Sequence, residues 1–350
     1  MSEMRDMIID VVERIFKDNI HKETVDFLEQ GKWAEDVWNL ILENEIEKVA
    51  IKEATGGAGG DIEDLLNLYQ LVGKYAAPIP FVEHTLANLI LEYTNLLPQV
   101  ELSTVHLAAK PLTLKDGKVT GQILFVPWAR YAKKLVTLAT EQGNQFVVLV
   151  DLKDATIQQQ TNLAAEPRDT VTLSEATILA SSLINDEQLE FLQKLQTAAT
   201  VSKMTGAIER AFELSVQFSK EREQFGRPIH RFQLVQQHLA ILAGEQALST
   251  AALDNIVALL LKGEANDEIA YARLKLDDAS RIVATSAHQV HAAIGVTHEH
   301  RLHHYTRRLW AWRDEDYSAK YWKKELAKKL VNSSGTLWET LTKKKQVEHI

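Results

Sequence analysis

Arg222 stands in the run Glu221-Arg222-Glu223-Gln224-Phe225-Gly226-Arg227-Pro228-Ile229-His230-Arg231-Phe232-Gln233. Its guanidinium is a planar fork of donors that can engage a pyrophosphate bidentately, and Gly226 with Pro228 can turn the chain between two helices. A dinucleotide could be clasped there; the plain alternative is an ion pair of Arg222 with Glu221 or Glu223 at a solvated helix end. Histidines are dense from His288 to His304, and His300 and His304 have the one-turn spacing that places two imidazoles on one helix face. The Glu-x-x-His motifs of a di-iron bundle are absent, and no metal centre is expected. Two carboxylates, Glu315 and Asp316 in Arg313-Asp314-Glu315-Asp316-Tyr317, could act as a general base or form a solvated helix face. The run Thr55-Gly56-Gly57-Ala58-Gly59-Gly60-Asp61 lacks the Gly-Lys-Ser/Thr ending of a phosphate-binding loop; it reads as a turn whose Asp61 caps the next helix.

Three regions must position these groups. Up to about Tyr93, apolar residues return every three or four positions, as in Ile8, Ile9, Val12 and Ile15, which predicts a helical region. After Pro98 come short β-prone stretches, Thr104–Leu107, Ile123–Val126, Leu135–Leu138 and Phe146–Val150, punctuated by Asp116-Gly117 and Gln142-Gly143. From about Asp186 to Leu330 helical periodicity holds in long segments. The tail with Leu337, Trp338 and Lys343-Lys344-Lys345 reads as a docked amphipathic helix or a frayed end. We therefore expect domains at 1–100, 101–178 and 179–350.

Composition narrows the function. There is no cysteine, so disulfides, thiolate nucleophiles and thiolate metal sites are excluded. A net charge of −9 argues against nucleic-acid binding, which needs a basic stripe. The apolar runs are too short for a membrane span, and Met1-Ser2-Glu3-Met4-Arg5-Asp6 lacks the layout of a secretory signal, so a cytoplasmic location is expected.

The first run resembles the R-x-x-F-G-x-P-I-x-x-F-Q segment of the acyl-CoA dehydrogenase family. The second, Gln289-Val290-His291-Ala292-Ala293-Ile294-Gly295-Val296-Thr297 followed by Glu299-His300, resembles that family's Q-x-x-G-G-x-G-x-T-x-E segment, in family order. Ala50–Pro80 is similar to its N-terminal helices. The resemblance implies a mainly α fold with a small β domain: an N-terminal helical domain, a middle β-barrel-like domain and a C-terminal four-helix bundle. It further implies FAD as cofactor, an acyl-CoA thioester as substrate, α,β-dehydrogenation to the enoyl-CoA, an electron-accepting flavoprotein, and a homo-oligomer or a heteromeric partner of the same family. By the same resemblance Arg222 reaches the FAD diphosphate held mainly by a neighbouring subunit, with Phe225 against the adenosine and Gln233 nearby. Gln289, Val290, His291, Ala292, Ala293 and Gly295 form the flavin-contacting strip. Alanines 292 and 293 replace paired glycines, which weakens or redistributes FAD contact.

Ungapped alignment from Arg307 places Asp316 at the family's catalytic base, with Glu315 adjacent; the alternative base position falls on Leu195, near Glu187 and Glu190. The β domain lacks Thr-Glu-Pro followed by Gly-Ser-Asp, although Val126-Pro127-Trp128-Ala129-Arg130 resembles its later part. This pattern resembles subunits of heteromeric acyl-CoA dehydrogenases; the alternative reading is a catalytically silent flavin-binding and assembly subunit.

Overall fold

A computed structural model describes residues 2–107, 110–264, 266–315 and 317–332. Its N-terminal layer contains α1 (Ser2–Asn19), α2 (Lys22–Asp26), α3 (Glu35–Glu43), α4 (Ile62–Tyr75) and α5 (Phe81–Tyr93). Val12 and Phe16, Trp38 and Ile41, and Leu65, Leu68 and Tyr69 bury one stripe of each long helix in a common core. Asp61 caps α4 as expected: its Oδ1 accepts from the N–H of Glu63 at 2.9 Å and of Asp64 at 3.1 Å. Arg5 then ties α1 to this cap, through Asp61 at 2.8 Å, Glu63 at 2.6 Å and Asp64 at 2.6 Å. The glycine run is thus structural.

The middle region holds β1 (Ser103–His106), β2 (Leu112–Lys115), β3 (Lys118–Pro127), β4 (Lys134–Glu141), β5 (Asn144–Asp151), β6 (Thr156–Gln158) and β7 (Arg168–Ile184). β4 pairs with β2, β2 with β3, β3 with β7, β7 with β5, and β5 with β4, so five strands close on themselves. β1 lies parallel to β4 and β6 antiparallel to β7. Asp116-Gly117 and Gln142-Gly143 make the β2–β3 and β4–β5 turns, each with both residues at positive φ, the conformation that two-residue hairpins require. Closure buries Val119, Ile123, Leu135, Val148, Val150, Val171 and Leu173. β7 runs to Ile184, and its last stretch alternates half-buried and exposed residues.

The C-terminal region contains α6 (Asp186–Glu221), β8 (Glu223–Gln224), β9 (Arg227–Pro228), α7 (Gln233–Leu260), α8 (Glu268–His291), α9 (Leu302–Asp314) and α10 (Ala319–Asn332). α6, α7, α8 and α9 pack as a bundle, with α10 against α8. The expected class therefore holds: mainly helical, with a β-barrel in the middle. The reading of the tail beyond 332 lies outside the described residues.

Asn185 begins α6 with a reciprocal cap, its Oδ1 accepting from Gln188 N–H at 2.8 Å and its N–H donating to Gln188 Oε1 at 3.0 Å. α6 then crosses α4 at a paired glycine contact. A Cβ on Gly206 would stand 1.9 Å from Gln70 O, and one on Gly73 would stand 1.9 Å from Lys203 O. Nothing but backbone faces these positions, so the helices would have to separate. Gly206→Ala is expected to lower stability by about 1–3 kcal/mol, measured by urea unfolding; a wild-type midpoint would show that the crossing relaxes freely.

Candidate active site

The α4–α6 crossing sets Lys203 at a cavity of about 400 Å³ bounded by α5, the barrel, α6 and α9. Apolar walls come from Val82, Leu86, Val105, Phe125, Pro127 and Ala199, with Trp310 and Ala311 of α9 opposite. Into this apolar space project charged groups from distant parts of the chain.

Glu83 is the first of them. It lies in the first turn of α5, where the helix dipole favours an anion, after the turn made by Pro78 and Pro80. Its carboxylate is 3.8 Å from Lys203 Nζ, and both side chains are nearly inaccessible. Burial pushes the Glu83 carboxyl above the ordinary glutamate range, against the opposing charges of Lys203 and Arg168. Lys203 in turn lies 4.9 Å from the centre of the Trp312 ring.

Glu315 is the second. Its two oxygens accept from Arg168 Nε and Nη2, each at 2.9 Å, and Oε1 also accepts from Asn162 Nδ2 at 2.7 Å. The expected base is thus engaged in a bidentate arginine pair on the cavity wall. Asp316 lies outside the described residues. Behind Glu315, Glu166 Oε2 accepts from Asn162 at 2.9 Å, Trp312 Nε1 at 2.8 Å and Arg168 at 3.1 Å, while Arg308 Nε is 3.2 Å from Oε1. Burial opposes ionisation of Glu166, but Arg308, Arg168 and Lys203 outweigh it and hold the carboxyl at about 2. Leu195 is buried, and Glu190 is bound by Lys194 and Lys329 at 2.8 Å each; Gln196, one residue beyond Leu195, lines the cavity with an amide.

The residues expected at the cofactor lie at one end of the bundle. β8 and β9 form a hairpin whose turn residues Phe225 and Gly226 both have positive φ, leaving Phe225 91% exposed. Arg227 lies over Phe232, 4.3 Å from the ring centre, which stiffens the hairpin. Arg222 and Gln233 are exposed, and Arg222 forms no ion pair among the described residues, with Glu221 and Glu223 included. Phe218, one turn before Arg222, stacks on His291 with centroids 4.6 Å apart, joining the two sequence runs in space.

In the second run Gln289, Ala292 and Ala293 are exposed, whereas Val290 and His291 are buried. His291 Nδ1 donates to Ala287 O at 2.8 Å, and burial depresses its pKa to about 4, so it is a neutral packing residue. Gly295 is buried as well: a Cβ there would meet His291 Cβ at 2.8 Å, so its smallness serves the protein's own packing. Ala292 has φ 53° and ψ −140°, a conformation that favours glycine. The backbone thus keeps a glycine-like turn with a small exposed residue. This, with an unpaired exposed arginine beside it, fits a dinucleotide edge. The expected shared face of His300 and His304 does not form, because α9 starts only at Leu302, whose N–H donates to His300 Nδ1 at 3.1 Å.

A barrel between two helical layers, with a cavity where the three meet, defines the acyl-CoA dehydrogenase fold. Residues 195–313 match the family described as "Acyl-CoA dehydrogenase, C-terminal domain". The chain is 26% identical over 322 residues to acyl-CoA dehydrogenase IpdE2 of Mycolicibacterium smegmatis, covering 88% of this chain and 93% of that protein. The ChsE4-ChsE5 complex from Mycobacterium tuberculosis has a chain of the same fold, with TM-score 0.84 at 20% identity, covering 96% of this chain and 99% of that one. A Tcur3481-Tcur3483 steroid ACAD variant superposes with TM-score 0.85 at 22% identity, over 93% and 97% of the two chains. Residues 195–313 thus carry an acyl-CoA dehydrogenase C-terminal domain, and the chain as a whole has the fold of that family and is similar in sequence to its members.

Proposed function

We propose that this chain is a subunit of an FAD-dependent dehydrogenase that converts an acyl-CoA thioester to its enoyl-CoA, and that its proton-abstracting group is Glu83. The observation that carries this reading is a desolvated carboxyl on the wall of an apolar cavity, whose basicity burial raises, with Lys203 3.8 Å away to favour its anionic form. In such a site Glu83 takes the α-proton, and the apolar walls exclude water that would otherwise solvate it. A bound FAD would supply the acceptor for a β-hydrogen leaving as hydride. Glu315 and Arg168 position the cavity wall.

Arg222, Phe225 and Gln233, with the Gln289, Ala292 and Ala293 edge, are the residues of this chain that would hold the dinucleotide. They project outward, which suits a cofactor shared with a second subunit. α7 supports the same reading, since Leu234, Ile241 and Leu248 leave an apolar stripe exposed along it. Two neighbours in fold are two-component assemblies by name, and a second chain of this family is the partner we favour. An electron-accepting flavoprotein would reoxidise the assembly.

The test is anaerobic titration of the FAD-loaded protein, alone and with candidate partner chains, with straight-chain and steroid-side-chain acyl-CoA thioesters. Bleaching of the flavin band supports dehydrogenation. No bleaching with any partner, in the presence of bound FAD, would favour the catalytically silent assembly subunit. Arg222→Ala is expected to weaken FAD retention about 10-fold or more without altering thermal unfolding of the apoprotein, as befits a lost charge-assisted phosphate contact. Equal retention would remove Arg222 from the cofactor site.

A further inference from the structure

The histidines that the flavin reading leaves unused converge on Asp26. Asp26 ends α2, His303 and His304 lie in the first turn of α9, and His298 precedes that helix. One ligand atom from each of Asp26, His298 and His303 lies within 4.8 Å of the others. His304 Nε2 is 3.1 Å from Asp26 Oδ1, while Lys22 takes the other oxygen, Oδ2, at 2.6 Å.

A second observation concerns hydrogen bonding. Asp26 Oδ1, His303 Nε2 and His304 Nε2 are all buried, and none has a hydrogen-bond partner among the described residues. His303 and His304 are only 7% and 4% exposed. Three orphaned polar atoms in one place are costly, because each has left water without a replacement. A bond from His304 to Asp26 would relieve two of them and leave the His303 nitrogen stranded. It would also leave unexplained why exposed His298 turns its ring to within 5.0 Å of the His303 ring. A cation held by Asp26, His298 and His303 gives the His303 side chain the partner it lacks, while His304 stays beside Asp26 Oδ1.

The donor set identifies its class. Imidazoles with a single carboxylate suit a late first-row divalent ion, zinc foremost, whereas calcium and magnesium require mostly oxygen ligands. We propose that Asp26, His298 and His303 form a zinc-class metal site that clamps α2 to the start of α9, with His304 beside Asp26 at its edge. His298, being exposed, is free to close on the ion. Because α9 also carries Trp310 and Ala311, the clamp would fix one wall of the cavity without taking part in its chemistry.

The experiment is metal analysis of the full chain after chelator treatment, reloading with Zn²⁺ and exhaustive dialysis, with a parallel thermal melt. The wild type is expected to retain about one zinc per chain and to melt at higher temperature with it. His303→Ala and Asp26→Asn should retain none. His298→Ala alters an exposed side chain that the fold does not need, and should weaken zinc binding by about tenfold or more; it decides the matter if the buried variants fail to fold. A wild type that retains no zinc, or variants that retain it as well as the wild type, would overturn the proposal. These readouts do not involve flavin or acyl-CoA and are independent of the dehydrogenase reading.

Discussion

Glu83→Gln is expected to slow acyl-CoA-dependent flavin bleaching by about 10²–10⁴-fold, the usual contribution of a positioned general base. The substitution preserves shape but removes both the proton acceptor and the charge facing Lys203, so FAD content, acyl-CoA affinity and thermal unfolding are measured beside the rate and should stay near wild type. Glu315→Gln serves as the contrast: it loosens the Arg168 pair, and its effect should appear in stability before rate. The pH profile provides a second readout. Because burial raises the Glu83 pKa above the ordinary 4.5, the bleaching rate should climb with pH through that raised value and then level off. Were Glu315→Gln to abolish bleaching while Glu83→Gln left it intact, the base would have to be reassigned.

Glu166→Gln should produce the largest loss of stability, about 3–5 kcal/mol, because it removes the anion facing the buried Arg168 and Arg308. Arg168 keeps Glu315, but Arg308 loses the one carboxylate within ion-pair reach of it among the described residues. The sign of the pH effect follows from the direction of the shift. Glu166 has its folded pKa depressed from 4.5 to about 2, so its contribution is complete above 4.5 and is lost as pH falls toward 2. Denaturant unfolding of the wild type between those values should show a steep acid limb. In Glu166→Gln that limb should flatten; an unchanged slope would mean that other carboxylates govern acid unfolding.

Features written in neighbouring residues were legible from sequence. Asp61 announces its cap, and Asp116-Gly117 and Gln142-Gly143 announce hairpins, because each depends on local backbone chemistry. The order of helices, barrel and bundle followed from changes of period. Glu83 was missed although a signal was present, namely a lone acidic residue early in the apolar helix Phe81-Val82-Glu83-His84-Thr85-Leu86. The Glu166–Arg168–Glu315 cluster carries no such signal, since Arg168 and Glu315 are separated by 147 positions and only the fold brings them together. Likewise the histidine spacing suggested one helix face, but α9 begins too late to contain His300.

The closed barrel also constrains the order in which the chain can acquire structure as it leaves the ribosome. β7 joins β3 to β5 and is the last strand of the barrel to be made, so the ring stays open until Ile184 has emerged. The N-terminal helices wait longer still, because α4 completes its packing only on α6, which ends at Glu221 of 350 residues. More than half of the polypeptide must therefore be synthesised before either of the first two layers can close, leaving apolar strand and helix faces open to chaperones throughout that interval.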